Sequence, residues 1–246
     1  MQKTKRLRVF AGPNGSGKTT LFNEVNEYFN QLPFVNAAEI EYALAKTGLI
    51  DLNLFEITAT AHDLKDFSKT IDANSLINKA VKEGHTIKIE VAENCLVNKL
   101  HNTNSYEASF AASFIRWLLF KKNKSFSFET VMSHRSKLKE INTAKRKGYK
   151  VYLYFVCTDL PEINVERVKN RVEKGGHTVN FQKIASRYTS TLKNLYPAIK
   201  ICDRVFLFDN SGKKHELIGE IFSDSLQIKT DQLPNWFLQY VLAHYS

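Results

Sequence analysis

Residues 12 to 19 read Gly12-Pro13-Asn14-Gly15-Ser16-Gly17-Lys18-Thr19 and fill every fixed position of the pattern G-x-x-x-x-G-K-[ST]. Few short segments restrict a fold so strongly, because the pattern works only between a buried strand and a helix. The glycines let the backbone turn its N–H groups inward, and the following helix adds the positive end of its dipole. Both flanks meet the demand. Leu7-Arg8-Val9-Phe10-Ala11 is an apolar strand, and about Lys18 to Asn30 reads as a helix. Such a cradle suits a nucleotide polyphosphate, so ATP or GTP is the expected cofactor. Gly12, Pro13, Asn14, Gly15, Ser16, Gly17, Lys18, Thr19 and Thr20 form the binding set. Lys18 is expected to reach the β- and γ-phosphates, and the Thr19 hydroxyl to bind Mg²⁺.

Strands and helices alternate along much of the remaining chain. Phe34-Val35-Asn36 enters a helix from Glu39 to Lys46, Ser125 to Glu129 is a strand, and Arg135 to Lys147 is a helix. Tyr149 to Val156 is a buried strand, Pro161 opens a helix to about Glu173, and Phe181 to Ile199 is helical. Arg204 to Phe208 is a strand, Glu216 to Phe222 an edge strand, and Asn235 to Tyr245 a closing helix. Alternation of this kind predicts an α/β fold, a P-loop NTPase three-layer sandwich with a mostly parallel sheet and helices on both faces. Between about 52 and 122 the pattern changes. Ser75 to Glu83 and Tyr106 to Lys122 read as helices, the latter amphipathic, around an alternating run from His85 to Val91. The expectation is one domain over 1–246 with a mainly helical insertion at 52–122, a lid at 164–190 and an extension at 213–246.

Composition excludes several classes. With 246 residues and 43% hydrophobic content the chain can bury a core and is not disordered. Lys+Arg exceed Asp+Glu by 35 − 25 = 10, which suits an anionic ligand. Cys95, Cys157 and Cys202 are odd in number and far apart, so neither a disulfide framework nor a zinc site is indicated. Ser109 to Phe120 is the longest apolar stretch, is broken by Arg116, and is too short to span a bilayer. Met1 to Phe10 has no signal-peptide apolar region, so no membrane role and a cytoplasmic location are expected. No LSGGQ-like signature accompanies the loop, which argues against a transporter-type ATPase. Asp209 ends a strand in the manner of a Walker B motif, but that strand comes last; Asp209, Asn210 and Ser211 are instead placed near the base or ribose, with a solvated turn as the alternative.

Two further regions carry chemistry. Arg167 and Arg171 are four apart on one helix face, followed by Gly175-Gly176-His177. Arginines on a mobile lid neutralise the transferring phosphoryl group and exclude water; pairing with Glu162, Glu166 or Glu173 is the alternative. An acceptor hydroxyl needs a carboxylate. Glu39, at the junction after the second strand, is one candidate, though it also suits a helix N-terminus. Glu129, at the carboxyl end of a strand where α/β sheets bind ligands, is the other, for the acceptor or the Mg²⁺ surroundings.

Taken together, Ala11 to Thr20, Phe34-Val-Asn-Ala-Ala-Glu-Ile40, Phe128-Glu-Thr-Val-Met-Ser133, Gly148-Tyr-Lys-Val151, Glu166-Arg167, Gly175-Gly-His-Thr-Val179, Arg187-Tyr188 and Asp209-Asn-Ser211 resemble the zeta toxin family of P-loop proteins, in that family's order. The match covers 7–48 and about 104–212, and the middle portion resembles the longer branch known as predicted ABC-type ATPases. The resemblance implies an ATP- or GTP-dependent kinase acting on the 3′-hydroxyl of UDP-N-acetylglucosamine and paired with an antitoxin protein. It implies that Lys18 holds phosphates, Thr19 the metal, Glu129 the place of the second acidic residue, Arg167 that of a lid arginine and His177 that of another. The family pattern after the second strand is Asn-Ala-Asp-Glu with Asp as the base; here that position is Ala38. Glu39 substitutes, or the chain is a weak catalyst, or an Asp was deliberately replaced.

Three readings follow. The first is a zeta-toxin-like kinase acting on a small hydroxyl acceptor such as a nucleotide sugar. The second is a polynucleotide kinase or other nucleic-acid-processing NTPase, motivated by the positive charge and by Lys121-Lys122-Asn-Lys124. The third is a non-catalytic ATP-binding module.

Overall fold

The computed structural model describes residues 4–28, 32–98, 103–174 and 181–245. In chain order its elements are β1 (Arg6–Ala11), α1 (Lys18–Asn26), β2 (Phe34–Val35), α2 (Ala37–Thr47), β3 (Leu49–Asp51), α3 (Ala61–Ser68), α4 (Ile71–Lys82), β4 (Glu90–Ala92), β5 (Cys95–Val97) and α5 (Ser105–Lys121). They continue with β6 (Phe126–Thr130), α6 (Ser136–Arg146), β7 (Lys150–Cys157), α7 (Pro161–Glu173), α8 (Phe181–Lys193), α9 (Leu195–Ile199), β8 (Arg204–Asp209), β9 (Glu216–Phe222), β10 (Ser225–Ile228) and α10 (Asn235–Tyr240). The chain divides into two compact units, 1–32 with 127–246, and 33–126. The class is α/β, with a mostly parallel sheet and the architecture of P-loop kinases.

The first unit is built on a sheet ordered β10-β9-β8-β7-β1-β6. β1 pairs parallel with β7 and β7 with β8, while β9 and β10 run antiparallel. Strands buried on both faces read as continuous apolar runs, which is why Tyr149 to Val156 stood out; the strand runs Lys150–Cys157, and Val151, Leu153, Phe155, Val156 and Cys157 are all fully buried. Register sets side chains in rows. Phe10, Tyr154 and Phe206 are neighbours across three strands and stack at 4.8 and 4.9 Å, with Phe22 of α1 edge-on to Phe10 at 5.2 Å. Glu216–Phe222, expected at the edge, lies inside the sheet, because the polar turn at Ser223-Asp224 folds Ser225–Ile228 back onto it as β10. The closing helix is shorter than expected, ending at Tyr240 before a turn of 3₁₀ helix at Leu242–His244.

The second unit is mainly helical with a small sheet ordered β3-β5-β4, both pairs antiparallel. Its centre is α5. The amphipathic reading of this helix fails: eleven of its 17 residues are buried, Glu107 and Arg116 among them. An all-round apolar helix is a core helix. Asn104 caps it, and Glu107 reciprocates from the third position. The alternating run His85–Val91 is also corrected, since only Glu90–Ala92 pairs as a strand. The Lys88 N–H instead donates to the Glu107 carboxylate at 3.1 Å. Among the described residues no helix is long and apolar enough to cross a membrane.

Candidate functional site

The loop after β1 is anchored at both ends. The Gly12 N–H donates to Thr130 O at the end of β6 at 3.3 Å. α1 then starts at Lys18 with Gly17 as its N-cap, in the left-handed region at φ 94°, and no side chain caps the first turn. Uncapped N–H groups at a helix start are an anion site once a glycine-rich loop bends over them. At the loop tip, a Cβ on Gly15 would sit 2.6 Å from Asn164 O, so the first turns of α7 touch the loop with no room for a side chain.

Lys18 is 5% exposed. Its ammonium donates to Pro13 O at 2.9 Å and lies 3.5 Å from Glu129 Oε1. Burial holds its pKa below the usual lysine value; Glu129 opposes that effect and the charge of Arg171 adds to it. Glu129 Oε2 accepts from the Thr19 hydroxyl at 2.6 Å. Lys18, Thr19 and Glu129, chosen from the sequence on separate grounds, thus meet in one unit, with Arg171 in electrostatic reach. Buried polar atoms normally find partners. Here Asn14 Oδ1 and Ser16 Oγ on the loop, and Asn164 Nδ2 beside it, are buried with no hydrogen-bond partner in the protein. The two donors among them, the Ser16 hydroxyl and the Asn164 amide, suit a polar, oxygen-rich anion, and a triphosphate fits that description. Among the described residues no cluster of three or more His, Cys, Asp or Glu could hold a metal alone. The Thr19 hydroxyl and Glu129 carboxylate suit Mg²⁺, which binds through few protein oxygens together with substrate phosphates.

The remaining candidates are distributed as follows. Arg167 donates to Gly212 O at 3.1 Å, on the turn after β8. His177 lies outside the described residues. Thr20 is exposed. Glu39 belongs to the second unit, where Oε1 accepts from Asn36 Nδ2 at 3.1 Å while Asn36 Oδ1 caps the Ala38 N–H at 3.0 Å. Those bonds are helix capping at the start of α2. Asn210 is 8% exposed and donates to Ser16 O at 2.8 Å, which sets it on the outside of the phosphate loop. Asp209 accepts from Trp236 Nε1 at 3.0 Å and from the Ser211 hydroxyl at 3.0 Å. Sequence reasoning missed His215, whose Nε2 lies 3.1 Å from Gly17 O and whose Nδ1 lies 3.2 Å from Glu24 Oε2. A lone histidine in a Ser-Gly-Lys-Lys-His turn carries no pattern that marks it.

No family model matches the sequence. A Haemophilus influenzae protein described only as uncharacterized is 34% identical over 68 residues, 28% of this chain and 49% of that protein. Solved structures match over far more of the chain. A chain of the AvrRxo1-ORF1:AvrRxo1-ORF2 complex superposes with a TM-score of 0.58 at 13% identity, over 92% of this chain and 61% of that one. The same complex solved with ATP gives 0.58 at 14% identity. The PezAT toxin–antitoxin system of Streptococcus pneumoniae gives 0.51 at 13%, over 100% of this chain and 81% of that one. The fold is zeta-toxin-like. The chain spans about half of the curated relative it matches and less than two thirds of the AvrRxo1 chain. Within the zeta-toxin-like fold, Gly12–Thr19 occupies the strand-to-helix turn that a P-loop requires.

Proposed function

We propose that the chain is an ATP-dependent kinase that transfers the γ-phosphoryl group to a hydroxyl of a small acceptor, a nucleotide sugar such as UDP-N-acetylglucosamine. The observation that carries the reading is the meeting of Lys18, Thr19 and Glu129 beneath an orphan-lined glycine loop. ATP as donor is supported by the ATP-bound AvrRxo1 structure of similar fold. The loop amides and Lys18 hold the donor phosphates. Thr19 and Glu129 are the residues to hold Mg²⁺, which supplies charge neutralisation between the phosphates when bound. Arg171 faces the transferring group, and Glu129 orients the acceptor. The family's base position is Ala38 here; unless Glu39 substitutes, transfer is attenuated, since loss of a general base costs about 10²–10⁴-fold in rate. An antitoxin-type protein partner is part of the reading, because both neighbours were solved with partner proteins or as part of a toxin–antitoxin system.

The nucleic-acid reading is weaker. Lys121 pairs with Asp63 at 2.8 Å, Lys124 with Glu56 at 3.4 Å, and Lys122 donates to Thr58 at 3.2 Å, so the cluster that motivated it is occupied locally. The test is transfer of label from γ-labelled ATP to a panel of nucleotide sugars, with Lys18→Met as the blank and Ala38→Asp alongside. Labelled sugar that disappears in Lys18→Met supports the kinase. ATP binding with no labelled acceptor, even in Ala38→Asp, replaces it with the non-catalytic module.

A further inference from the structure

A phosphate loop presents its N–H groups to the ligand only if its carbonyls are held facing the other way. Each outward carbonyl needs a partner of its own. In this chain two partners come from a segment 194 to 198 residues distant in sequence. Ser16 O accepts from Asn210 Nδ2 at 2.8 Å. Gly17 O accepts the helical bond from the Leu21 N–H at 3.0 Å and also faces His215 Nε2 at 3.1 Å. Both side chains press on the loop so closely that a Cβ on Gly17 would stand 2.4 Å from Asn210 Nδ2 and 2.8 Å from His215 Nε2. Glu24, on α1, faces the other ring nitrogen at 3.2 Å. Both neighbours are acceptors and a neutral imidazole donates to only one of them, so a bond to Gly17 O places the ring proton on Nε2. The His215 side chain is 7% exposed, so the ring is packed in place.

We propose that Asn210 and His215 are positioning residues that clamp the outer carbonyls of the phosphate loop and so preorganise its N–H groups for a nucleoside triphosphate. The inference rests on the nucleotide-binding reading for its ligand, and not for its geometry. It moves Asn210 from a contact with the nucleotide base to a support of the loop. It also gives His215 a part in binding without contact with the ligand. The order of the loop before any nucleotide arrives is set by two bonds donated from the β8–β9 connection.

Two measurements on the full chain test it. The first is amide hydrogen exchange across residues 15–20 without nucleotide, in wild type, His215→Ala, His215→Gln, Asn210→Ala and Asn210→Asp, with β7 amides as the internal standard. The clamp predicts loop exchange at least about tenfold faster in His215→Ala, recovery in His215→Gln, whose amide can donate as Nε2 does, and a larger effect in Asn210→Asp than in Asn210→Ala, because Asp sets an acceptor against a carbonyl. β7 exchange stays unchanged, which separates the effect from general destabilisation. The second is the dissociation constant of a fluorescent ATP analogue, expected to rise about three- to tenfold in His215→Ala and to recover in His215→Gln. Unchanged loop exchange in both His215→Ala and Asn210→Asp overturns the clamp whatever the nucleotide result. Faster loop exchange in the variants, together with a wild type that binds no ATP analogue, overturns the nucleotide reading and retains the clamp. If Asn210→Asp fails to fold, the His215 pair decides the matter alone.

Discussion

The Thr19 hydroxyl donates to Glu129 Oε2 at 2.6 Å across 110 residues of sequence, while the other oxygen of that carboxylate stands 3.5 Å from the buried Lys18 ammonium. One carboxylate therefore balances the cation and occupies the hydroxyl that the nucleotide reading assigns to Mg²⁺. The arrangement explains how a nearly inaccessible lysine is tolerated: an unpaired buried charge costs several kcal/mol, and a pair costs much less.

Glu129→Gln keeps an acceptor for Thr19 and removes the charge that offsets Lys18. The expected loss is about 1–3 kcal/mol, below the range for fully buried pairs because Glu129 retains some exposure. Lys18→Met is expected to change stability by less than about 1 kcal/mol while abolishing nucleotide binding, since it removes the desolvated charge itself. The double variant should recover most of the loss. Urea denaturation of the four proteins gives the coupling energy, and wild-type stability in Glu129→Gln would show that the pair does not offset the burial of Lys18.

Glu41 provides a pH-dependent test in the second unit. Burial raises its pKa from 4.5 to about 7. The folded state then binds the proton more tightly than the unfolded chain. Its contribution is fully present below about pH 4.5 and is lost as pH rises to about 7 and beyond. Melting of the second unit should fall across that window, and Glu41→Gln should flatten the dependence and leave the protein more stable at pH 8. A melting temperature followed from pH 4.5 to 8.5 in both proteins decides it; equal slopes remove Glu41 as the cause.

Much of this was readable from residue order, and the failures share a physical reason. Gly12–Thr19 announced itself because its chemistry needs glycines and a lysine at fixed spacing. The strand read at Tyr149 to Val156 and the helix Pro161–Glu173 were readable because burial on both faces and a proline in the first turn leave local marks. His85–Val91 misled: Ile87, Ile89 and Val91 are the more buried positions, as alternation implies, yet most of the run has no strand beside it. Alternation reports burial and is silent on pairing. β10 went unseen because it is only four residues long and mostly exposed, and only its contact with β9 makes it a strand. Asn210 was noticed for its position and assigned a nearby role, whereas His215 acts through a carbonyl nearly two hundred residues away, a relation that no local pattern encodes.

Gly15 tests the contact between the loop and α7. An added Cβ would stand 2.6 Å from Asn164 O, a backbone atom that cannot swing aside, and the residue sits at φ 77°. Gly15→Ala should therefore destabilise the first unit by about 1–3 kcal/mol through backbone strain alone. The Asn164 turn should also be displaced, with at least about tenfold weaker binding of ATP. Thermal melting with and without ATP measures both effects. Retention of wild-type affinity would show that the loop tip and α7 move independently.

Arg167 and Arg171 share a helix and a charge but not a neighbourhood, and that difference yields the sharpest kinetic expectation. Arg167 is tied to Gly212 O at 3.1 Å, on the turn after β8. Arg171 is near enough to Lys18 for its charge to lower that lysine's pKa. Charge concentrated beside a buried lysine is unfavourable in the free protein and becomes favourable once polyphosphate arrives, and more so as negative charge spreads over the transferring group. Arg171→Ala should accordingly lower kcat by about 10²- to 10³-fold with a smaller change in ATP affinity. Arg167→Ala should act mainly on KM for ATP, within about tenfold, by freeing the Gly212 turn. Steady-state kinetics on the acceptor found in the labelling experiment separates the two. Equal losses of kcat would place both guanidinium groups on the transferring phosphoryl and require the Arg167 bond to Gly212 to break during the reaction.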